Sequence, residues 1–197
     1  MVKKLNPISV QSVLKNKGFS LFTPKEFERI FDVSESATQK FIHIHTKKKF
    51  FTKIRNGIYA LTEKRPNLYF IANKIYTPSY VSLETALSYY GIIPETVYGI
   101  TSIATKAKRE FEAFGINFSY TRIKKVAFQG YTTQQEDGKT FFIAEPEKAL
   151  ADYLYLVSLG KRSWNDRFET KKISMEKLEK YLNLFDRPKL KKYFIKL

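Results

Sequence analysis

The chain has no cysteine among its 197 residues. That excludes disulfides, thiol catalysis and zinc–thiolate sites. Histidine is nearly absent as well. The only two, His43 and His45, would point about 200° apart on a helix, so one face cannot offer both to a metal ion. No apolar run reaches the ~18 residues that a membrane span needs. The opening MVKKLNPISV has two lysines but no long apolar stretch behind them, and does not read as a secretory signal. A cytoplasmic protein is the expectation. Glycine-rich phosphate loops, a nucleophile elbow and metal-spaced His/Cys patterns are also missing. The residues therefore point to no metal, no cofactor and no catalytic centre.

What is present is apolar content and positive charge. Hydrophobic residues make up 43% and aromatics 16%, a globular composition in a chain long enough for one or two domains. The net charge is +16 and the sequence pI ≈ 9.8, which implies a polyanionic partner, most often nucleic acid. The charge is uneven. Residues 1–66 hold 14 Lys and Arg against 5 Asp and Glu, residues 67–160 hold 9 against 9, and residues 161–197 hold 12 against 5. Two basic ends around a neutral middle favour localised anion-binding surfaces over a diffuse compositional drift.

The first 66 residues read as three helices and a hairpin. A helix is predicted over about 8–17 on Val10, Val13 and Leu14, closed by Gly18. In FTPKEFERIF, Thr23 caps, Pro24 takes the first helical position and Glu26 completes a capping box, with Phe27, Ile30 and Phe31 facing inward. Ser34 caps a third helix over about 35–48. At 100° per residue, Ala37, Phe41, Ile44 and the Lys48 stem form its predicted core face. Gln39, His43 and Thr46 fall opposite, Ser36, Lys40 and Lys47 flank them, and Thr38 and His45 lie on the other edge. Ile42 falls nearer the outer face than the core, an anomaly for an isoleucine.

FFTKIRNGIYAL, residues 50–61, follows directly. Asn-Gly between two strand-forming runs is a strong hairpin signal. A two-residue loop sets Arg55 against Ile58 and Ile54 against Tyr59, leaving Phe50, Ile54, Tyr59 and Leu61 on an anchoring side. Lys53 and Arg55 share the other side with Ile58 and Ala60. Three helices and a basic hairpin predict a winged helix-turn-helix over residues 1–66, with the third helix in a DNA major groove. The base-reading candidates are Gln39, Lys40 and His43, with Ser36 on base or phosphate. Lys47, Lys49, Lys53, Arg55 and Asn56 are candidates for phosphate or minor-groove contact. The plain alternative is a small helical domain with a polar outer face.

EKRPNLYF, residues 63–70, marks the boundary. Beyond it, helices are predicted over about 67–75, 82–90, 146–157, 174–184 and 188–195. Strands are predicted over 97–104, 116–123, 125–133 and 139–144, the last two joined through Asp137-Gly138. The expected fold class is α+β: a winged helix-turn-helix, then a mixed α/β domain over residues 67–197 with a small, mostly antiparallel sheet and C-terminal helices. Residues 161–197 form a basic helical tail.

Four stretches carry a family resemblance. SESATQKFIHIHTKKKFFTKIRNGIYAL (34–61) resembles the winged helix of the AbiEi family, antitoxins of type IV abortive-infection toxin–antitoxin systems. YVSLETALSYYGIIPE (80–95) resembles that family's small-residue helix, and TKAKREF (105–111) its basic segment after a strand. FIAEPEKALADYLYL (142–156) resembles its Ala-x-Pro-Glu-Lys/Arg-Ala-Leu-x-Asp signature. Family members often have glycine where helix meets wing; here that place reads Lys48-Lys49. The resemblance implies a DNA-binding antitoxin that represses its own operon through inverted repeats. It implies a nucleotidyltransferase toxin as functional partner, opposed without a stable complex.

Other classes stay open on the residues alone. Glu112, Asp137 and Lys139, with Glu145 or Glu147, could build a metal-dependent nuclease, although Asp137-Gly138 is a turn signal and acids at a helix start are favoured by its dipole. In EPEKALAD, Lys148 and Asp152 are spaced to pair, which fits a structural helix start as well as an antitoxin role. Lys106, Lys108 and Arg109, and separately Arg122, Lys124 and Lys125, are either solvated faces or further nucleic-acid contacts. They matter only where the fold segregates them from acids. An RNA-binding protein acting through the basic tail is the remaining alternative.

Overall fold

The computed structural model describes residues 5–197. Within them the protein is α+β, with eight α-helices and two sheets. No helix of the described residues is long and apolar enough to cross a membrane.

Helices α1 (Pro7–Asn16), α2 (Pro24–Phe31) and α3 (Glu35–Lys47) each start at a side-chain cap. The Asn6 carboxamide oxygen accepts from the Ile8 amide at 2.9 Å. At α2 the capping box is complete: the Thr23 amide donates to Glu26 at 2.7 Å and the Glu26 amide donates to Thr23 Oγ1 at 3.2 Å. Such a cap contributes about 1 kcal/mol. Asp32, left-handed at φ 53, ends α2, and Ser34 caps α3 two residues on. The three helices close over Val10, Leu14, Phe22, Phe27, Phe31, Phe41 and Ile42, with Phe51 and Leu61 from the hairpin. Ring pairs such as Phe22–Phe51, 5.0 Å between centroids and edge-on, interlock this cluster.

The hairpin of β1 (Phe51–Arg55) and β2 (Ile58–Leu61) departs from its expected register. Arg55 does face Ile58 across Asn56-Gly57, but Lys53, not Ile54, faces Tyr59. Ile54 is the extra residue of a bulge, and a bulge reverses the side alternation beyond it. Both sides of the hairpin are therefore used. Phe51, Tyr59 and Leu61 pack on the helices, while Ile54, Ile58 and Ala60 pack on a second, larger cluster. The expected free face of Lys53, Arg55, Ile58 and Ala60 does not exist, and the bulge parts the two cations.

The larger cluster surrounds a six-stranded sheet. Its strands are β3 (Ser79–Val81), β4 (Ile100–Ala104), β5 (Arg109–Ala113), β6 (Ile116–Arg122), β7 (Tyr131–Glu136) and β8 (Lys139–Ala144). They run in the order β5-β6-β4-β3-β8-β7. The β3–β4, β5–β6 and β7–β8 pairs are antiparallel; β3–β8 and β4–β6 are parallel. The sheet is thus larger and more mixed than expected. β3 and β5 lie outside the strands expected from the sequence. β3 is three residues long and buried, and β5 alternates Glu110 and Glu112 with Arg109 and Phe111, a charge-rich pattern that reads as loop. Conversely, 125–127 forms a single 3-10 turn in place of a strand start.

Helices α4 (Leu68–Ile75), α5 (Leu83–Tyr89) and α6 (Pro146–Ser158) pack on the sheet, and α7 (Met175–Asn183) and α8 (Lys189–Ile195) pack on α6. α6 is its buried spine: Lys148 and Asp152 are both fully buried and paired with each other. Asp152 also accepts from Tyr80 Oη at 3.0 Å and Ser82 Oγ at 2.8 Å. The basic tail does not stand apart. Leu178, Leu182, Phe185 and Leu190 belong to the same cluster.

Candidate nucleic-acid interface

α3 is rotated relative to its expected orientation. Its buried residues are Thr38, Phe41 and Ile42, whereas Ile44 is 37% exposed. Ile42, outward by the angular reading, is 3% exposed. The apolar signal was carried by the adjacent pair Phe41-Ile42, and a β-branched threonine completes the stripe by shape. Thr38 Oγ1 finds no hydrogen-bond partner there.

The rotation leaves Ser36, Gln39, Lys40, His43 and Lys47 exposed together on one face. Gln39, Ile42, His43, Thr46 and Lys47 line a cleft of about 310 Å³, whose far side is Lys53 and Tyr59 of the hairpin. Five of the sequence candidates thus share a helix face, and Lys53 joins three of them across a cleft. An amide, an imidazole and two ammonium groups converge, the donor set that reads purine edges and phosphates. The Gln39 amide is held at 2.9 Å by Glu35 Oε1 one turn earlier.

Other candidates sit elsewhere. His45 is half-buried, its ring 4.1 Å from that of Phe41 and 5.6 Å from Phe50. Burial, aided by the Lys48 charge, lowers its pKa below the ordinary histidine value. On that edge of the helix it is a packing residue. Lys49 is exposed and left-handed at φ 56, at the helix–hairpin junction where the AbiEi resemblance leads one to expect glycine. Arg55 and Asn56 are exposed at the hairpin tip. Arg55 lies on the sheet side: its charge opposes the rise that burial imposes on the Tyr120 phenol.

Lys106, Lys108 and Arg109 are exposed, but they are not a clean basic surface. Lys106 Nζ donates to the Thr77 carbonyl at 2.6 Å. Lys108 pairs with Glu110 at 3.0 Å, and Arg109 shares β5 with Glu110 and Glu112. Some of the tail cations are similarly engaged, whereas Lys161, Lys171, Lys189, Lys191 and Lys192 have no ion-pair or hydrogen-bonding side-chain partner among the described residues. Arg162 meets Glu84 at 2.5 Å, Lys177 meets Glu145 at 2.9 Å, and Arg187 donates to the Ser158 carbonyl at 2.8 Å.

The carboxylates of the nuclease reading are dispersed. Glu112 is on edge strand β5, Asp137 lies in the turn of the opposite edge, and Glu145 accepts from Tyr181 Oη at 2.5 Å. No group of three or more His, Asp or Glu able to hold a metal occurs among the described residues. No protein-family model matches the chain, and no curated protein matches it either.

Proposed function

We propose that residues 1–66 act as a winged helix-turn-helix that binds duplex DNA, with α3 in the major groove and the β1–β2 hairpin as wing. One observation carries the reading: Gln39, His43 and Lys47 of α3 meet Lys53 of the hairpin across a single cleft, on the face that also holds Ser36 and Lys40. α2 and α3 are joined by a three-residue turn, as that motif requires. The net charge of +16 supplies the attraction to phosphate.

The wider role follows the AbiEi resemblance. We read the chain as a type IV antitoxin that represses its own operon and opposes a nucleotidyltransferase toxin. Its support is the order of the four motifs along residues 34–156. The reading predicts a nucleotidyltransferase gene beside this one, and growth of cells expressing that gene with and without this chain tests it; absence of such a gene, or no rescue, removes the antitoxin half and leaves the DNA-binding half standing.

The DNA reading is tested by salt. With about six phosphates neutralised, log affinity for the upstream DNA falls by about five per log unit of salt. Lys53→Ala is expected to flatten that slope by about one, and Gln39→Ala to relax sequence preference at a cost of about 1–3 kcal/mol. A slope untouched by Lys53→Ala, measured by fluorescence anisotropy, overturns the cleft as the DNA surface.

A further inference from the structure

The neutral middle of the chain contains one place where cations are cleanly segregated from acids. β4 and β6 run parallel and end together, Ala104 opposite Arg122. Just past these ends, Thr105, Arg122, Ile123, Lys124 and Lys125 line a pocket of about 550 Å³, with Tyr155 of α6 on its remaining side. No carboxylate lines it. Neither Arg122 nor Lys125 has an ion-pair or hydrogen-bonding side-chain partner among the described residues, and both are exposed. The contrast with β5, where Lys108 and Glu110 neutralise one another, is direct.

The floor of this pocket is closely packed. Tyr155 stacks on Phe185 at 4.2 Å and 14°. Lys124 Nζ donates to the Phe185 carbonyl at 2.7 Å, which fixes its ammonium in place. Ile123 is buried and its amide donates to the Ala104 carbonyl at 3.2 Å, continuing the β4–β6 ladder. Two unpartnered cations, Arg122 and Lys125, beside a third tethered to a carbonyl, with two hydroxyl groups and no acid, make a basic recess of ordinary ligand-pocket size.

We propose that this pocket binds an oligophosphate, either the phosphate chain of a nucleoside di- or triphosphate or a free inorganic oligophosphate. Arg122 and Lys125 border one recess. That concentrates several charges at a point, as an oligophosphate does, whereas a duplex distributes single charges along its backbone. The site is separate from the α3 cleft, so it stands or falls independently of the DNA reading.

Isothermal titration of the full chain with sodium tripolyphosphate, and in parallel with ATP, tests the assignment. The expected result is saturable binding at one site, weakened at least about tenfold by Arg122→Gln combined with Lys125→Gln. Both side chains are exposed, so the unliganded thermal midpoint of this variant stays that of the parent protein. Lys47→Gln with Lys53→Gln leaves oligophosphate binding unchanged. Tighter binding of ATP than of tripolyphosphate assigns the ligand to the nucleotides; equal binding assigns it to the phosphate chain alone, and either supports the site. Absence of saturable binding overturns it. So does loss of binding in the α3-cleft variant, or a fall in duplex affinity with no loss of oligophosphate binding in the Arg122/Lys125 variant, which would make the pocket part of a DNA track.

Discussion

At the scale of single residues, His45 shows how position on a helix decides chemistry. It lies two residues from His43, yet His43 is exposed in the α3 cleft while His45 packs between Phe41 and Phe50. Its folded-state pKa is lowered, first by burial and then by Lys48. The unfolded chain therefore binds a proton more readily than the folded one. The stability that neutral His45 contributes is complete above the ordinary histidine value of about 6.5 and is lost as pH falls through that value to the lowered one. Urea unfolding at about pH 7.5 and pH 5.5 should show a decline over this window. His45→Gln is expected to flatten that decline. The sequence separates these two histidines by angle but does not show which of them packs. Angular bookkeeping measures relative direction well, but its zero depends on which apolar residues are taken as core. With Ile42 inward in place of Ile44 the whole wheel turns, yet the exposed polar set is almost the same because it is broad.

At the scale of elements, strong local signals were legible and context-dependent ones were not. The capping box at Thr23, the helix start at Pro146 and the Asp137-Gly138 turn are encoded in adjacent residues, and all three form. The bulge at Ile54 is not encoded locally: it arises because the hairpin must fill two apolar clusters at once. β3 and β5 are held by neighbours distant in sequence, which no local pattern reports. The Lys148–Asp152 spacing was readable, whereas its complete burial was not. That burial matters energetically. Desolvation pushes the Asp152 carboxyl upward, against the pull of Lys148, Ser82 and Tyr80. Lys148→Met would leave a fully buried carboxylate without its cation, at a cost of about 3–5 kcal/mol. Lys148→Met with Asp152→Asn should recover part of that loss, since no unpaired charge remains. Denaturant midpoints of the two variants provide the check; equal losses would mean that the pair's packing, and not its charge, is what α6 depends on.

At the scale of the whole molecule, the hairpin couples the two halves. Phe51 and Leu61 close the helical cluster, and three residues or fewer away Ile54 and Ala60, both essentially inaccessible, close the sheet cluster. Lys139 Nζ adds a hydrogen bond to the Gly18 carbonyl at 3.0 Å across the same junction. A ribbon whose two sides belong to different cores cannot leave one core without exposing the other, so the halves should unfold together. Two probes can report this. Trp164, the single tryptophan, stacks on Tyr193 in the C-terminal part and reports the sheet half by fluorescence. Far-ultraviolet circular dichroism reports helices of both halves. Coincident midpoints are expected. Ile54→Ala, which removes a buried side chain from the sheet cluster at a cost of about 2–5 kcal/mol, should lower both midpoints equally, although it lies in the proposed wing. If fluorescence and dichroism separate, in the parent or in the variant, the hairpin is a tether and the two halves are independent. In that case the wing would be free to move on DNA without disturbing the sheet, whereas a shared ribbon holds α3, the hairpin and the sheet edge as one rigid surface.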